Sequence, residues 1–98
     1  LSRILIISAE VRGNDLAVNY IYFNSFGDAN LENANFKNAD LRSVNFNSAK
    51  LTNADLSGAD LRKAFLSGAD LSNANLDGVF VDVHTILKCK NHTICLNE

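Results

Sequence analysis

One five-residue unit recurs along most of this 98-residue chain. When the sequence is aligned on that period, Leu or Phe fills one column from Phe26 to Leu76. A small apolar residue, Ala or Val, stands two positions before each of these from Leu31 onward, and Asn or Asp usually lies between them. Two mostly polar residues complete the unit. Because every unit must adopt the same local structure, this repeat constrains the fold more than any other feature of the sequence.

The period of five excludes an α-helix. A helix turns by about 100° per residue, so five residues rotate it by about 140° and the Leu and Phe column would wind around the axis. Asn, Asp, Ser and Gly also favour turns over helix interiors. In an extended conformation the small residue and the central residue share one face, and a turn after them brings the next unit to the same inward side. The sequence therefore predicts an all-β coil with one unit on each short side.

The pattern small–Asn/Asp–Leu/Phe–x–x resembles the motif of the pentapeptide repeat proteins. The resemblance is clearest in residues 24–83 and continues in degenerate form through residues 4–23, so we assign residues 1–83 to the repeats. It implies a right-handed quadrilateral β-helix with 20 residues per coil and about four coils. Residues 84–98 depart from the motif and predict a short C-terminal cap, helical in part, that folds over the last coil.

Stacking follows from a coil of 20 residues. Phe26 and Phe46 should stack directly on one another, whereas Phe36 should lie on another side of the coil with Leu56. The inward column would fill the interior and leave no channel, and its burial would supply most of the stability. The predicted core stack consists of Phe26, Phe36, Phe46, Leu56, Leu61, Leu66, Leu71 and Leu76.

Both cysteines lie in the predicted cap, together with two histidines. His84, Cys89, His92 and Cys95 could hold a zinc ion, but a disulfide between the cysteines or two free thiols are also possible. Paired cysteines in a small cap brace it more often than they bind metal. The family resemblance favours the disulfide between Cys89 and Cys95, since some luminal members close their terminal cap in this way. A disulfide implies an oxidising compartment, the thylakoid lumen or the periplasm, and reduced thiols would imply the cytoplasm.

Departures from the repeat mark a candidate interaction face. On the side built from residues 39–43, 59–63 and 79–83, aromatic residues flank a basic patch, and residues 19–23 would extend it. Phe65 replaces the expected Asn or Asp on the adjacent side. The candidate face consists of Arg42, Arg62, Lys63, Phe65 and Phe80.

Two interpretations of these residues remain open. In the first, the aromatic residues lie under the caps at the two ends, and Arg42 and Arg62 pair with the acids two positions before them. In the second, the aromatic and arginine side chains are the anchors of a protein-binding face. The aromatic residues concerned are Tyr20, Tyr22, Phe23 and Phe80.

Charge and motif content limit the possible functions. The net charge of −2 with interspersed signs indicates no direct nucleic-acid binding. The apolar run at residues 4–7 is too short to cross a bilayer, and no catalytic or cofactor-binding arrangement is recognisable. We therefore expect a non-catalytic structural or interaction module that presents rigid faces to a protein partner. The resemblance also implies an alternative, a DNA-mimic binder of a DNA-processing protein such as gyrase, but such a mimic requires a longer and strongly acidic rod.

Overall fold

The structure, a computed structural model, describes residues 25–96. In this range the chain forms a parallel β-coil with no helix and no strand longer than a single bridge residue. Every fifth residue up to Phe80 forms a bridge, most of them with the residue 20 positions further along. The bridges join Ser25 with Asn45, Asn30 with Lys50, Asn35 with Asp55, Asp40 with Asp60, Asn45 with Phe65, Lys50 with Asp70, Asp55 with Asn75, Asp60 with Phe80, Phe65 with Ile86, and Asp70 with Lys90.

Four columns of bridge residues define the four sides of the coil. We number the sides in chain order, each with its stacked bridge residues. Side 1 carries Ser25, Asn45, Phe65 and Ile86; side 2 carries Asn30, Lys50, Asp70 and Lys90; side 3 carries Asn35, Asp55 and Asn75; and side 4 carries Asp40, Asp60 and Phe80.

Type II turns form the corners between the sides, from the corner of residues 26–29 to that of residues 76–79. The carbonyl of each central residue accepts the N–H of the residue three positions later, as between Phe26 and Ala29 at 3.0 Å. Only the second turn residue has a positive φ, which is the signature of a type II turn. This conformation explains the Asn, Ser and Gly at that position, although Lys63 also adopts it with a φ of 65°. At Gly58 the side chain of Asn38, one coil earlier, also lies close to the backbone. A Cβ at position 58 would lie 2.1 Å from Asn38 Oδ1.

The Asn or Asp at each bridge position supports the following turn. Its side-chain oxygen accepts the backbone N–H two residues later, from Glu32 to Asn30 Oδ1 at 3.1 Å and from Asp77 to Asn75 Oδ1 at 3.0 Å. That N–H would otherwise have no partner within the ladder. The recurrence of Asn and Asp therefore reflects a local turn that only a short side chain with an oxygen acceptor can form.

The central residues fill the interior of the coil. Phe26 stacks on Phe46 with the ring centroids 5.4 Å apart, and Phe36 meets Phe46 edge-on at 5.8 Å. These rings, and the Leu side chains of the central column up to Leu71, are completely buried. The small residues of each unit are buried at the corners beside them. At the C-terminal end Leu76 retains 8% exposure, since no described coil covers it.

The C-terminal segment differs from the partly helical cap that the sequence suggests. Instead of starting a separate element at residue 84, the chain continues the ladder through Ile86 and Lys90. One extra residue is accommodated in the corner of residues 82–85, where Thr85 donates its N–H to the Asp82 carbonyl at 3.1 Å. The residues of the segment up to Leu96 form no helix, because their backbone groups pair with the previous coil instead.

Several expectations fall on residues outside the described range. The degenerate repeats at residues 4–23 lie there, as do Tyr20, Tyr22 and Phe23. The expected number of about four coils includes those units and remains a prediction. Between residues 25 and 96, the structure contains no helix long and apolar enough to cross a membrane.

Candidate functional site

Two arginine–aspartate pairs lie one above the other on side 4. Arg42 contacts Asp40 through both edges, Nε to Oδ1 at 2.8 Å and Nη2 to Oδ2 at 2.7 Å. Arg62 binds Asp60 in the same bidentate manner. The hydrogen bond from each arginine side chain lowers the pKa of the neighbouring aspartate, and coulombic attraction adds to it. Both arginines are therefore paired with the acid two positions before them, as the first interpretation requires, and they do not form an unpaired basic patch.

Phe80 is placed on the solvent side of the same face. It occupies the bridge position above Asp60 and is 59% exposed. The chain after Val81 turns the corner to side 1 and pairs Ile86 with Phe65, so it covers side 1 rather than side 4. The part of the first interpretation that puts Phe80 under the C-terminal cap is therefore wrong. Phe65 is also largely exposed, at 42%.

Neighbouring side chains compensate for the Asn or Asp that Phe65 and Phe80 replace. In a regular unit, the side-chain oxygen of an Asn at position 65 would accept the N–H of Ser67. Here that N–H donates instead to Asn47 Oδ1, one coil earlier, at 2.9 Å. The N–H of Asp82, two residues after Phe80, donates to Thr85 Oγ1 at 3.1 Å. The two aromatic residues thus stand in the regular coil without leaving these backbone amides unpaired.

Thr85 is a residue that the sequence analysis missed. It takes the corner position that Ala64 holds one coil earlier, and its buried hydroxyl donates to the Leu61 carbonyl at 2.9 Å. Its signal in the sequence was weak, because the extra residue in this corner shifts Thr85 out of the five-residue register.

An open groove runs along side 4 between the two ion pairs and Phe80. Small residues at the corner beside it leave room above the backbone. Its lining consists of Asn38, Ala39, Asp40, Arg42, Gly58, Asp60, Arg62 and Phe80. The groove is a surface depression rather than an enclosed cavity, so its shape suits a protruding side chain of a partner better than a small substrate.

Lys63 lies at the corner between the two exposed phenylalanines. Its backbone N–H donates to Asp82 Oδ1 at 3.1 Å, which ties this corner to the next coil. Within residues 25–96 its ammonium group forms no ion pair. The structure therefore brings Arg42, Arg62 and Phe80 together on side 4, with Lys63 at its border and Phe65 around the corner on side 1.

The two cysteines form a disulfide in the structure. Cys89 and Cys95 have their Cα atoms 5.1 Å apart, and both belong to the buried core cluster. With both sulfurs joined, the zinc hypothesis is wrong, because Cys89 and Cys95 cannot act as thiolate ligands. His92 Nδ1 accepts the N–H of Ile94 at 3.1 Å. The described part of the chain holds no group of three His, Cys, Asp or Glu residues placed to bind a metal ion.

Reduction of the disulfide is expected to loosen only the C-terminal end. The bond closes a short loop, with a sequence separation of 6, so loop closure predicts a stabilisation of about 2–3 kcal/mol at most. Repeat arrays are held by contacts between neighbouring coils, so the effect should not spread. Hydrogen exchange followed by mass spectrometry, with and without reductant, should show faster exchange in residues 84–96 and no change around Leu41. The double variant C89A/C95A should not respond to reductant, and an equal increase along the whole coil would contradict the prediction.

Comparison with known proteins gives one family match. The family model described as pentapeptide repeats matches residues 25–58 and 49–81, with 8 copies of the repeat. Together these matches span more than half of the chain. No curated protein sequence matches the chain.

Solved structures of similar proteins were also found. The pentapeptide repeat protein Rfr23 from the cyanobacterium Cyanothece 51142 is 27% identical, with a TM-score of 0.56, over 83% of this chain and 62% of that protein. A pentapeptide repeat protein from the Arabidopsis thaliana thylakoid lumen is 37% identical, with a TM-score of 0.54, over 68% of this chain and 50% of that protein. The plasmid-mediated fluoroquinolone resistance protein QnrB1 matches at 19% identity and a TM-score of 0.52, over 82% of this chain and 51% of that protein, which is a likeness of fold alone. The chain thus spans between about a half and 62% of the length of these proteins.

Proposed function

This chain belongs to the pentapeptide repeat family, and we propose that it is a non-catalytic interaction module whose right-handed β-helix presents rigid sides to a protein partner. Side 4 is the binding face in this proposal. Because the chain spans only part of the length of the similar solved structures, what it does within a longer protein also belongs to the proposal.

The observation that carries the proposal is the exposure of Phe80 beside the arginine–aspartate pairs. The other two described bridge residues of side 4, Asp40 and Asp60, are aspartates that support their own turns. Phe80 has no side-chain oxygen to accept the backbone N–H of its turn, and its large apolar side chain is 59% exposed to solvent. Aromatic and arginine side chains are the residues that contribute most to protein–protein binding when they lie next to one another.

The ion pairs prepare the arginine side chains for binding. A free arginine loses conformational entropy when a partner immobilises it, which weakens association. The bidentate contact with Asp60 already holds Arg62 through Nε and Nη2. Its Nη1 group has no partner among the described residues and remains able to donate to a carbonyl oxygen of a bound protein. Since the coil behind this face is tied by a continuous ladder, little further ordering is needed on binding.

Phe80→Asn tests this face without disturbing the fold. Asn restores the residue type that the repeat carries at this position, so we expect the free energy of unfolding to change by less than about 0.5 kcal/mol. Affinity for a partner captured from soluble and luminal fractions of the source organism should fall at least about tenfold, because an aromatic anchor is lost. Isothermal titration calorimetry of the purified pair would measure it.

Lys50→Asn is the matched control for Phe80→Asn. It also restores the residue type of the repeat, but on side 2, where Lys50 Nζ lies 3.4 Å from Glu32 in an exposed ion pair of small energetic value. We expect unchanged affinity. Equal affinity of the wild-type chain and Phe80→Asn for every captured partner would exclude side 4 as the binding face.

The DNA-mimic alternative finds less support than a general protein-binding role. A mimic of duplex DNA needs acidic side chains whose charge is exposed along a rod. Here the two bridge aspartates of side 4, Asp40 and Asp60, are paired with arginines, and Glu32 on side 2 is paired with Lys50. The likeness to QnrB1 concerns the fold alone.

An oxidising compartment is the location that we propose. The disulfide between Cys89 and Cys95 supports it, as does the 37% identity to a protein of the thylakoid lumen. The thylakoid lumen and the periplasm both satisfy this condition. Alkylatable thiols in the chain isolated from its source would contradict the proposal.

A further inference from the structure

The ladder ends at different heights on the four sides. On sides 1 and 2, Ile86 and Lys90 pair with the coil before them. On sides 3 and 4 no described residue pairs with Asn75 or Phe80 from the C-terminal direction. We call this segment, residues 73–83, the C-terminal edge.

Backbone groups at this edge lack the partners that their counterparts have one coil earlier. The N–H groups of Leu56, Gly58 and Leu61 donate to the carbonyls of Asn75, Asp77 and Phe80 at 2.7–2.8 Å. The equivalent N–H groups, those of Leu76, Gly78 and Val81, have no acceptor within residues 25–96. The carbonyls of Ala74 and Val79 likewise receive no N–H, although those of Ala54 and Ala59 do.

The C-terminal segment passes this edge without pairing with it. Cys95 donates its N–H to the His92 carbonyl at 3.1 Å, the spacing that also joins Ala74 to Leu71, although Ile94 lacks the positive φ that Asn73 has in that turn. In that register Leu96 would be the residue to pair with Asn75. Its N–H donates instead to the Leu87 carbonyl at 2.7 Å, so the chain leaves the ladder at this point.

We propose that the C-terminal edge binds an extended segment of a protein partner, which adds to the ladder as one more layer. The proposal rests on the role of the chain as an interaction module and names the partner element. One residue of the segment would accept the Leu76 N–H and donate to the Ala74 carbonyl. The residue two positions later would accept the Gly78 N–H. Open strand edges bind other chains in this way, since the added hydrogen bonds satisfy groups on both sides.

Side chains at the edge indicate the chemistry of that segment. The residue after the bridging one would point inward over Leu76, so it must be apolar. Further apolar surface lies beside it at Val81, which is 41% exposed, and Val83, which is 93% exposed. Residues 73–83 contain Asp77 and Asp82 and no lysine or arginine. Outward lysine or arginine side chains on the segment would complement these carboxylates, whereas a second copy of the same edge would bring like charges together.

Amide hydrogen exchange observed by NMR tests the proposal directly. The probe is a short capped peptide of alternating valine and lysine, at a concentration about ten times its dissociation constant, where about nine in ten sites are filled. In the free protein the amides of Leu76, Gly78 and Val81 should exchange rapidly. In the complex the exchange of Leu76 and Gly78 should slow about tenfold, because both are protected whenever the peptide is bound, whereas Val81, beyond the corner, should continue to exchange rapidly. The amides of Leu56, Gly58 and Leu61, one coil earlier, should be protected in both states and serve as internal controls.

Three results would overturn the proposal. The first is strong protection of the edge amides in the free protein at low concentration, which would mean that the edge is already covered. The second is protection that rises with protein concentration in the absence of peptide, which would assign the edge to a second copy of the chain. The third is equal protection by a peptide of alternating valine and glutamate, which would remove the charge complementarity on which the partner class depends.

The experiments distinguish failure of the C-terminal edge proposal from failure of the side 4 proposal. Phe80→Asn changes a side chain of side 4 and leaves every backbone N–H of the edge in place. If this variant loses the captured partner but no peptide protects the edge amides, only the edge proposal fails. If the peptide protects the edge and Phe80→Asn retains full partner affinity, only the side 4 proposal fails.

Discussion

Replacing Leu56 by Asp is expected to unfold the described coil. Leu56 is completely buried in the central column, in register between Phe36 and Leu76. Within residues 25–96 no cationic side chain belongs to the buried core, so the carboxylate would be buried without a partner. Such a charge costs several kcal/mol, which is comparable with the whole stability of a small domain. Far-ultraviolet circular dichroism should lose the β and turn signal of the wild-type chain, and chemical denaturation should show no cooperative transition.

The control for Leu56→Asp is Thr52→Asp. Thr52 occupies the first turn position of a neighbouring unit, on the outer surface, where the repeat accepts many polar residues. The same carboxylate there remains hydrated, so the unfolding midpoint should change little. Cooperative unfolding of Leu56→Asp at the same midpoint as Thr52→Asp would show that the central column does not form the core.

Phe46→Ala should be the most costly of the simple truncations. Phe46 contacts two other rings, Phe26 in parallel at 5.4 Å and Phe36 edge-on at 5.8 Å. Removing it leaves a cavity inside a rigid coil, where the ladder prevents the walls from closing, so we expect a loss of about 3–5 kcal/mol. Urea denaturation should show this as a lower midpoint with a similar slope.

Phe46→Leu separates the loss of volume from the loss of the aromatic contact. Leu fills the same column at Leu66, one coil later, so its backbone geometry is already accommodated there. We expect a cost of about 1–2 kcal/mol. A cost as large as that of Phe46→Ala would mean that the aromatic geometry, and not the filling of space, dominates the stability of this part of the core.

The local structure could be predicted from the sequence because each position of the unit has one physical role. Leu and Phe faced inward because of their apolar character, and the Asn and Gly positions indicated turns. The number of units per coil could not be obtained in this way. A period of five specifies one side and one corner of the coil. The angle of the corner decides whether Phe46 stacks on Phe26 or on another residue. That angle depends on backbone torsions, which composition does not reveal. The family resemblance supplied this number.

The candidate site was predictable in position but not in pairing. The outward direction of Phe80 and Arg62 followed from the register of the repeat. Whether Arg62 would bind Asp60 or remain free depended on side-chain conformations, and two residues of opposite charge at that spacing allow both. The path of the chain after Val81 depended on one additional residue in the corner before Ile86. A single insertion leaves no mark in composition, and it decided that Ile86 rather than Thr85 pairs with Phe65.

The 20-residue spacing of the bridges has a consequence for how such a chain can evolve. Duplication or deletion of 20 residues lengthens or shortens the coil and leaves every surface residue on its original side. A change of only five residues also preserves the inward and outward pattern, so the core is kept, but it rotates all later units by a quarter turn. If the change fell between Asp60 and Phe80, Phe80 would then lie above a different column, no longer above Asp60. Small tandem duplications can therefore recombine surface residues into new faces at little cost to folding, which gives this architecture an evolutionary route to new partners.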